Sequence, residues 1–252
     1  MNKFIDKYPI YYINLNTRKD RNDYIIKHFL ENKINNFYRI EGNSPSMISD
    51  KIIKIGKDFG VTEYETASSY SHINAIKYFF ENSNLEYGFF CEDDVDLFNL
   101  NKIEFTVNDL FKRLNNPECI QLGISTREDI APNFKAHIRG PWDFNCSFYV
   151  MTRCYAKKLL NNYYNDNVYT LENFIKVDIL DYRNNTVIQS TPVPEYIVYG
   201  LTNAISCPIS TYQIFQSSMN FADENYRQNT KTRNNFLSYW SEYNKIRIVD
   251  LI

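Results

Sequence analysis

Four carboxylates crowd into five positions at Glu92-Asp93-Asp94-Val95-Asp96, directly after the apolar run Tyr87-Gly88-Phe89-Phe90-Cys91. Like charges packed this closely repel one another unless something positive sits among them. Carboxylate oxygens suit Mg²⁺ or Mn²⁺, and both ions commonly also take phosphate oxygens from a substrate. A cation so placed neutralises charge developing on a departing diphosphate. A solvated acidic loop after a strand would read the same way. Two frames are open, Glu92-Asp93-Asp94 and the D-x-D formed by Asp94-Val95-Asp96.

Two other groups could do chemistry. Asn14, Asn16, Arg18 and Arg21 fall where a first strand gives way to a helix. A helix N-terminus favours anions, and arginine offers phosphate a planar fork. A helix cap with solvated arginines uses the same residues. His72 follows Ser71 and lies in line with Ser69, Ile76, Phe79 and Phe80 on one helical stripe. That placement fits a buried, hydrogen-bonded structural histidine, or a pair in which Ser71 or His72 orients the acidic loop or a donor.

The elements that must position these residues alternate. Pro9 to Leu15 reads as a buried strand. Thr17-Arg18-Lys19-Asp20 has the S/T-x-x-D/E pattern of a helix start, and the helix runs on to about Lys33. Phe37 to Ile40 reads as a strand and Met47 to Ile55 as a short helix. Thr62 to Asn82 is the best-defined helix. Tyr87 to Cys91, unbroken by charge, reads as a central strand of a parallel sheet. A helix near 102–115 and a strand at Cys119 to Leu122 follow. No periodicity marks Gly123 to Phe144, which holds Arg127, Glu128, Asp129, His137, Arg139 and Trp142. Cys146 to Met151 reads as a strand and Arg153 to Tyr164 as a helix. Thr186 to Gln189 and Tyr196 to Val198 read as strands, 217–235 as loop, and Phe236, Leu237, Trp240 and Tyr243 as a final amphipathic helix. The fold class expected is α/β, with a mostly parallel central sheet flanked by helices and a less regular C-terminal part.

Composition narrows the function. The chain has 252 residues with 28 basic and 30 acidic side chains, which argues against a nucleic-acid binder and against a polybasic membrane-surface protein. A 44% apolar and 23% charged makeup excludes wholesale disorder. Apolar runs reach only about four residues where a membrane span needs roughly twenty, so neither a span nor a signal peptide is expected. Five scattered cysteines without a C-x-x-C pair predict free thiols in a reducing compartment. The expected location is cytoplasmic, or host cytoplasm or virion if the chain is viral. Abundant Asn, Ile, Lys and Tyr point to an AT-rich genome, that of a microbe or large virus.

The motifs together resemble glycosyltransferase family 25, which includes lipopolysaccharide-biosynthesis and collagen galactosyltransferases. Ile13-Asn14-Leu15-Asn16-Thr17-Arg18-Lys19-Asp20-Arg21 is similar to its opening I-N-L-[DN]-x-R-x-D-R. Glu65-Thr66-Ala67-Ser68-Ser69-Tyr70-Ser71-His72 and Glu92-Asp93-Asp94-Val95 follow its S-H helix and E-D-D-V in order and spacing. Phe148 to Leu160 resembles its strand and [GY]-A-x-K-L-L helix, and Lys176 to Asp181 its P-[IV]-D-x-x-[LI] element. The likeness covers residues 8–182. It departs at Asn145-Cys146-Ser147, where the family has Gly-Thr, and at Lys176-Val177, which lacks the proline before Asp178.

The resemblance implies a single GT-A-type domain, with a nucleotide-sugar-binding half at 8–125 and an acceptor half with the C-terminal helix at 126–252. It implies metal-dependent, inverting transfer of a hexose, glucose or galactose, from a UDP-sugar to a hydroxyl on a glycan or protein. Mn²⁺ or Mg²⁺ would be held by Asp94 first, with Glu92 or Asp96. Asn14, Asn16, Arg18, Arg21, Ser71, His72 and Asp93 would contact or orient the donor. An inverting transferase needs a base beside the acceptor hydroxyl; Asp178, which fits the family element, and Asp181 are the candidates. Trp142 is a candidate sugar platform. A rival reading is a non-catalytic relative that binds a nucleotide-sugar or glycan. An unrelated nucleotidyl- or phosphotransferase would be expected to carry a Gly-rich phosphate loop, and neither G-x-x-x-x-G-K nor G-x-G-x-x-G is present. A structural interaction protein is the residual option. The Phe236/Trp240 face would serve a homodimer or dock on its own domain.

Overall fold

The structure is a computed structural model that describes residues 1–48, 52–53, 60–125, 133–140, 143–165, 168–176, 178–181, 186–212 and 224–252. Along the chain lie β1 (Ile10–Asn14), α1 (Lys19–Glu31), β2 (Phe37–Glu41), β3 (Ile52–Ile53), α2 (Glu63–Asn82), β4 (Tyr87–Glu92), β5 (Val95–Asp96), α3 (Val107–Arg113), β6 (Cys119–Gly123) and β7 (His137–Ile138). There follow β8 (Phe148–Thr152), α4 (Arg153–Tyr163), β9 (Tyr164–Asn165), β10 (Val168–Thr170), β11 (Asp178–Asp181), β12 (Thr186–Gln189), α5 (Pro194–Tyr199), β13 (Ile205–Tyr212) and α6 (Glu224–Ser241).

The main sheet has the order β2-β1-β4-β8-β6-β13-β5, with β7 also paired to β13. β2, β1, β4, β6 and β13 run in one direction, while β8 is inserted antiparallel between β4 and β6. The expected α/β class with a mostly parallel, helix-flanked sheet is what is found. β4, apolar from Tyr87 to Cys91, is central and buried on both faces. Alternate side chains feed two cores. Ile10, Tyr12, Phe89, Cys91, Phe148 and Ile120 pack with α1, α3 and α6 on one face. Tyr11, Phe90, Tyr149 and Met151 pack with α2, α4 and α5 on the other. On that second face the rings of Tyr38, Tyr11, Phe90 and Tyr149 stack across four adjacent strands at 5.5, 5.5 and 5.1 Å. Such pairs add about 0.5–1.5 kcal/mol each beyond the area they bury, so the abundant tyrosine serves the core.

Several expectations need correction. α1 starts at Lys19 with Arg18 at its N-cap and no side-chain cap bond, so Thr17 does not cap it. Arg18 instead pairs with Asp20 at 2.8 Å. Where Met47 to Ile55 was expected to be helical, a single 3-10 turn at Pro45–Met47 and the short β3 are found. Tyr196 to Val198 belongs to helix α5, which starts with Pro194 in its first turn. The segment 217–235, expected as loop, contains the first turns of α6 from Glu224. Phe236 and Trp240 are both fully buried within this chain. Arg127, Glu128, Asp129 and Trp142 lie outside the described residues. Among the described residues, no helix is long and apolar enough to cross a membrane. Four cysteines are buried free thiols and Cys154 is an exposed one.

Candidate functional site

The carboxyl ends of the co-directional strands gather the polar residues, as open α/β sheets generally arrange for ligands. The β1–β4 register places Ile13 opposite Glu92, so Asn14 comes to stand beside Asp93. Asn14 Nδ2 donates to Asp93 Oδ2 at 2.7 Å. Arg21, in the first turns of α1, donates through Nη1 to Asp93 Oδ1 at 3.1 Å and to Asp94 Oδ2 at 2.9 Å. Asn14 is itself held, since Arg39 Nε donates to its Oδ1 at 2.9 Å. Arg39 also donates to Asn16 Oδ1 at 2.7 Å, and Asn16 hydrogen-bonds Glu41 at the end of β2. Arg39 and Glu41 carried no motif and were missed in the sequence; their only signal is a place at the carboxyl end of the strand beside β1.

His72 links α2 to the acidic segment. Its ring is 1% exposed, with Nδ1 3.0 Å from the Tyr149 hydroxyl and Nε2 3.2 Å from Glu92 Oε1. A neutral imidazole has one donor and one acceptor nitrogen. The carboxylate fixes the proton on Nε2, and Nδ1 accepts from Tyr149, whose hydroxyl burial keeps protonated. His72 is thus both buried and hydrogen-bonded, and it orients Glu92. The neighbouring Ser71 Oγ donates to Ala67 O and accepts from the Asn43 backbone at 2.9 Å, tying the loop after β2 to α2.

The three carboxylates differ in environment. Burial opposes ionisation of Glu92, but the hydrogen bond from His72 and the charge of Arg21 outweigh it and hold the group below the usual range. Burial pushes Asp93 up, against the hydrogen bond from Asn14 and the charge of Arg21. Burial and the Glu92 charge, with Asp93 adding to them and Arg21 opposing, push Asp94 up to about 7. Asp96 joins a separate network. Arg233 of α6 donates to Oδ2 at 2.9 Å, the Phe98 backbone donates to Oδ1 at 3.1 Å, and His28 Nε2 lies 3.4 Å from Oδ1. Burial raises Asp96, but the His28 contact and the Arg233 charge win and leave it lowered. Asp178 and Asp181 sit on the β11–β12 ribbon, which is a sheet of its own. The Asp178 side chain is exposed and accepts from Gln189 at 3.4 Å.

Hard oxygen donors fit a divalent cation here. Glu92 and Asp94 keep 35% and 22% of their side chains exposed and lie close enough to repel. Among the described residues no three His, Cys, Asp or Glu groups converge as a metal set. A cation on one or two of these carboxylates would complete its shell from phosphate and water, as Mg²⁺ commonly does.

A further polar network, also missed in the sequence, adjoins Glu92 through β8, where the Glu92 N–H donates to Ser147 O at 3.0 Å. Asn145 adopts φ +97°, a conformation glycine adopts most readily, and it falls in the segment where the family resemblance has Gly-Thr. Gln121 Nε2 donates to the carbonyls of Asp143, Phe144 and Asn145, and Glu195 accepts from the Asn145 N–H at 3.0 Å. Arg139 donates to Gln121 Oε1 and lies 4.6 Å over the Tyr199 ring. Several hydrogen bonds thus hold Asn145 in its positive-φ conformation.

No family model and no curated protein matches the sequence. Solved structures similar to this chain include A197 from STIV, 9% identical with a TM-score of 0.44 over 82% of this chain and 86% of that one. The galactosyltransferase LgtC, in complex with donor and acceptor sugar analogs, is 9% identical with a TM-score of 0.41 over 93% and 99%. The inositol-1-phosphate CTP transferase from T. maritima is 12% identical with a TM-score of 0.38 over 89% and 96%. At these scores the fold assignment rests on the sheet described above.

Proposed function

We propose that this chain is a glycosyltransferase akin to family 25, moving a hexose from a UDP-sugar to a hydroxyl on a glycan or protein with inversion. One observation carries the reading. The E-D-D motif and the I-N-L-N-x-R-x-D-R motif, about seventy residues apart, meet in the Asn14–Asp93–Arg21–Asp94 cluster at adjacent strand ends. Mn²⁺ or Mg²⁺ would supply neutralisation of the charge that builds on the departing diphosphate. Asp94 and Glu92 would hold it, leaving Asp96 to its bonds from Arg233 and the Phe98 backbone. Arg21, Arg18 and Asn16 would bind the diphosphate and ribose, with His72 keeping Glu92 in place and Ser71 the adjoining loop.

In the reaction, the acceptor oxygen bonds to the anomeric carbon as the bond from that carbon to the diphosphate oxygen breaks on the opposite face. The acceptor proton passes to a carboxylate base, assigned to Asp178 or Asp181 on the family element alone. Calorimetric titration of UDP, UDP-glucose and UDP-galactose, with and without Mn²⁺, tests the donor site on wild type and Asp94→Ala. Mn²⁺-dependent binding that the variant loses supports the reading, and absence of nucleotide binding under every condition overturns it. With an acceptor in hand, Asp178→Asn is expected to cut kcat by about 10²-fold or more at unchanged donor affinity, the range for loss of a general base. An unchanged kcat places the base elsewhere. Donor binding without any turnover marks the non-catalytic relative.

A further inference from the structure

Two strands away from the acidic segment, β2 brings one more carboxylate to the same edge of the sheet. Glu41 is the last residue of β2 and pairs in register with Asn14 of β1. Phe37, at the start of β2, packs on Phe29 of α1 with ring centres 4.9 Å apart. By the two-residue alternation of a strand, Arg39 and Glu41 share that face with Phe37. The face is the one from which Arg21 of α1 reaches Asp93 and Asp94.

Glu41 is exposed, yet the chain around it is fixed. The Gly42 N–H donates to Asn14 O at 2.9 Å, and a Cβ on Gly42 would meet the Leu15 backbone nitrogen at 3.2 Å. Arg39 donates to Asn14 Oδ1, Asn14 O and Asn16 Oδ1. The Asn16 amide is therefore oriented, with its oxygen on Arg39 and its Nδ2 donating to Glu41 Oε1. Among the described residues Glu41 Oε2 accepts no hydrogen bond.

An ionised carboxylate can only accept, so this oxygen suits a hydroxyl donor and repels a phosphate. Glu41 lies two strands from Asp93, about 10 Å at the usual strand spacing. With the diphosphate of a nucleotide beside Arg21 and Asp94, the paired hydroxyls of its ribose are the donors that can lie toward Glu41. In dinucleotide-binding βαβ units an acidic residue roughly twenty positions past the first strand–helix turn takes the ribose 2′-hydroxyl. Glu41 follows the start of α1 at Lys19 by a similar stretch.

We propose that Glu41 recognises the ribose of the bound nucleotide. Its Oε2 accepts from the 2′-hydroxyl, while Arg39, acting through Asn16, holds the carboxylate in place. The site is thereby selective for ribonucleotides over 2′-deoxynucleotides. This rests on the donor-site reading above and adds to it the residue that reads the nucleotide's own sugar.

The test is calorimetric titration of the full chain, in Mn²⁺, with UDP, 2′-deoxy-UDP and CDP. Wild type is expected to bind UDP about tenfold to a hundredfold more tightly than 2′-deoxy-UDP, the range for one hydrogen bond to a charged group. Glu41→Ala should weaken UDP by that factor, leave 2′-deoxy-UDP unchanged, and so bring the two affinities together. Equal binding of UDP and 2′-deoxy-UDP by wild type overturns the proposal, and that measurement needs no variant. A preference for UDP that survives in Glu41→Ala overturns it as well. If the variant instead weakens UDP and 2′-deoxy-UDP alike and loses a preference for UDP over CDP, Glu41 reads the base and the ribose assignment falls. UDP binding without ribose discrimination sinks this assignment alone, whereas no binding of any nucleotide sinks the donor-site reading and takes this assignment with it.

Discussion

Asp94 brings the residue scale into focus, because its carboxyl works against the fold. Burial together with Glu92 and Asp93 raises it to about 7 despite Arg21. The folded chain therefore holds a proton that the unfolded chain has already released above the ordinary carboxylate range. Stability contributed by that proton is present at low pH and is lost as pH rises through about 7. Asp96 and Glu92 have the opposite sign: both are lowered, so their contribution is present above the usual carboxylate range and lost as pH falls. Asp94→Asn is expected to remove the fall in stability between the ordinary carboxylate range and pH 7. Urea unfolding across that window checks it, and a variant with the wild-type slope would place the raised group elsewhere. Under the proposed function a cation would act at the same residue, where positive charge would relieve a repulsion that Arg21 only partly offsets.

At the scale of elements, strand ends decide which side chains meet. Gly123 ends β6 beside the start of β8, and a Cβ there would collide with Ser147 Oγ and come 3.2 Å from the Phe148 backbone nitrogen. The strands approach this closely at the end that also carries Glu92 and the strained Asn145. Gly123→Ala is expected to cost about 1–3 kcal/mol by overpacking. Ser147→Ala in the same chain should return part of that cost, so a double-mutant cycle by chemical denaturation reads the coupling. Additive effects would show that the two strands are free to separate. Helix α2 is set more simply. Thr62 and Glu65 form a reciprocal capping box, and the box fixes where the helix begins and so where, two to three turns on, Ser71 and His72 fall.

For the molecule as a whole, the C-terminal helix closes the structure onto the acidic segment. Trp240 and Phe236 of α6 are fully buried in the core that also holds Val95, Leu97 and Leu100, and Arg233 pairs with Asp96. Thus the segment after Asp94 is anchored by a helix more than a hundred residues away, while Glu92 to Asp94 face Arg21 and His72. Trp240→Ala is expected to destabilise the chain by about 3–5 kcal/mol, the usual cost of a large buried aromatic. A loss under about 1 kcal/mol in urea unfolding would mean that α6 packs only loosely on the sheet.

The sequence by itself determined the elements with strong local signals and the residues with strong chemical ones. β1, α2, β4, β8 and α4 were legible because each carries either a continuous apolar run or an amphipathic repeat, and the acidic segment stood out by its charge density, although a solvated loop would read the same way. Local patterns failed where the deciding force was distant. Tyr196 to Val198 looks like a strand, yet Pro194 and the buried face of α2 make it a helix. The first turns of α6 are polar and patternless, and the chain there is helical because Phe236 and Trp240 beyond them are held in the core. No sequence signal says that β8 runs antiparallel between β4 and β6, since direction is set by how the chain returns to the sheet. Nor does any say that Asp93 and Asp94 share Arg21 while Asp96, two residues on, turns to Arg233. Those choices were made by tertiary structure, because strand register and helix packing fix which charge stands within reach of which, and the partners lie far apart in the chain.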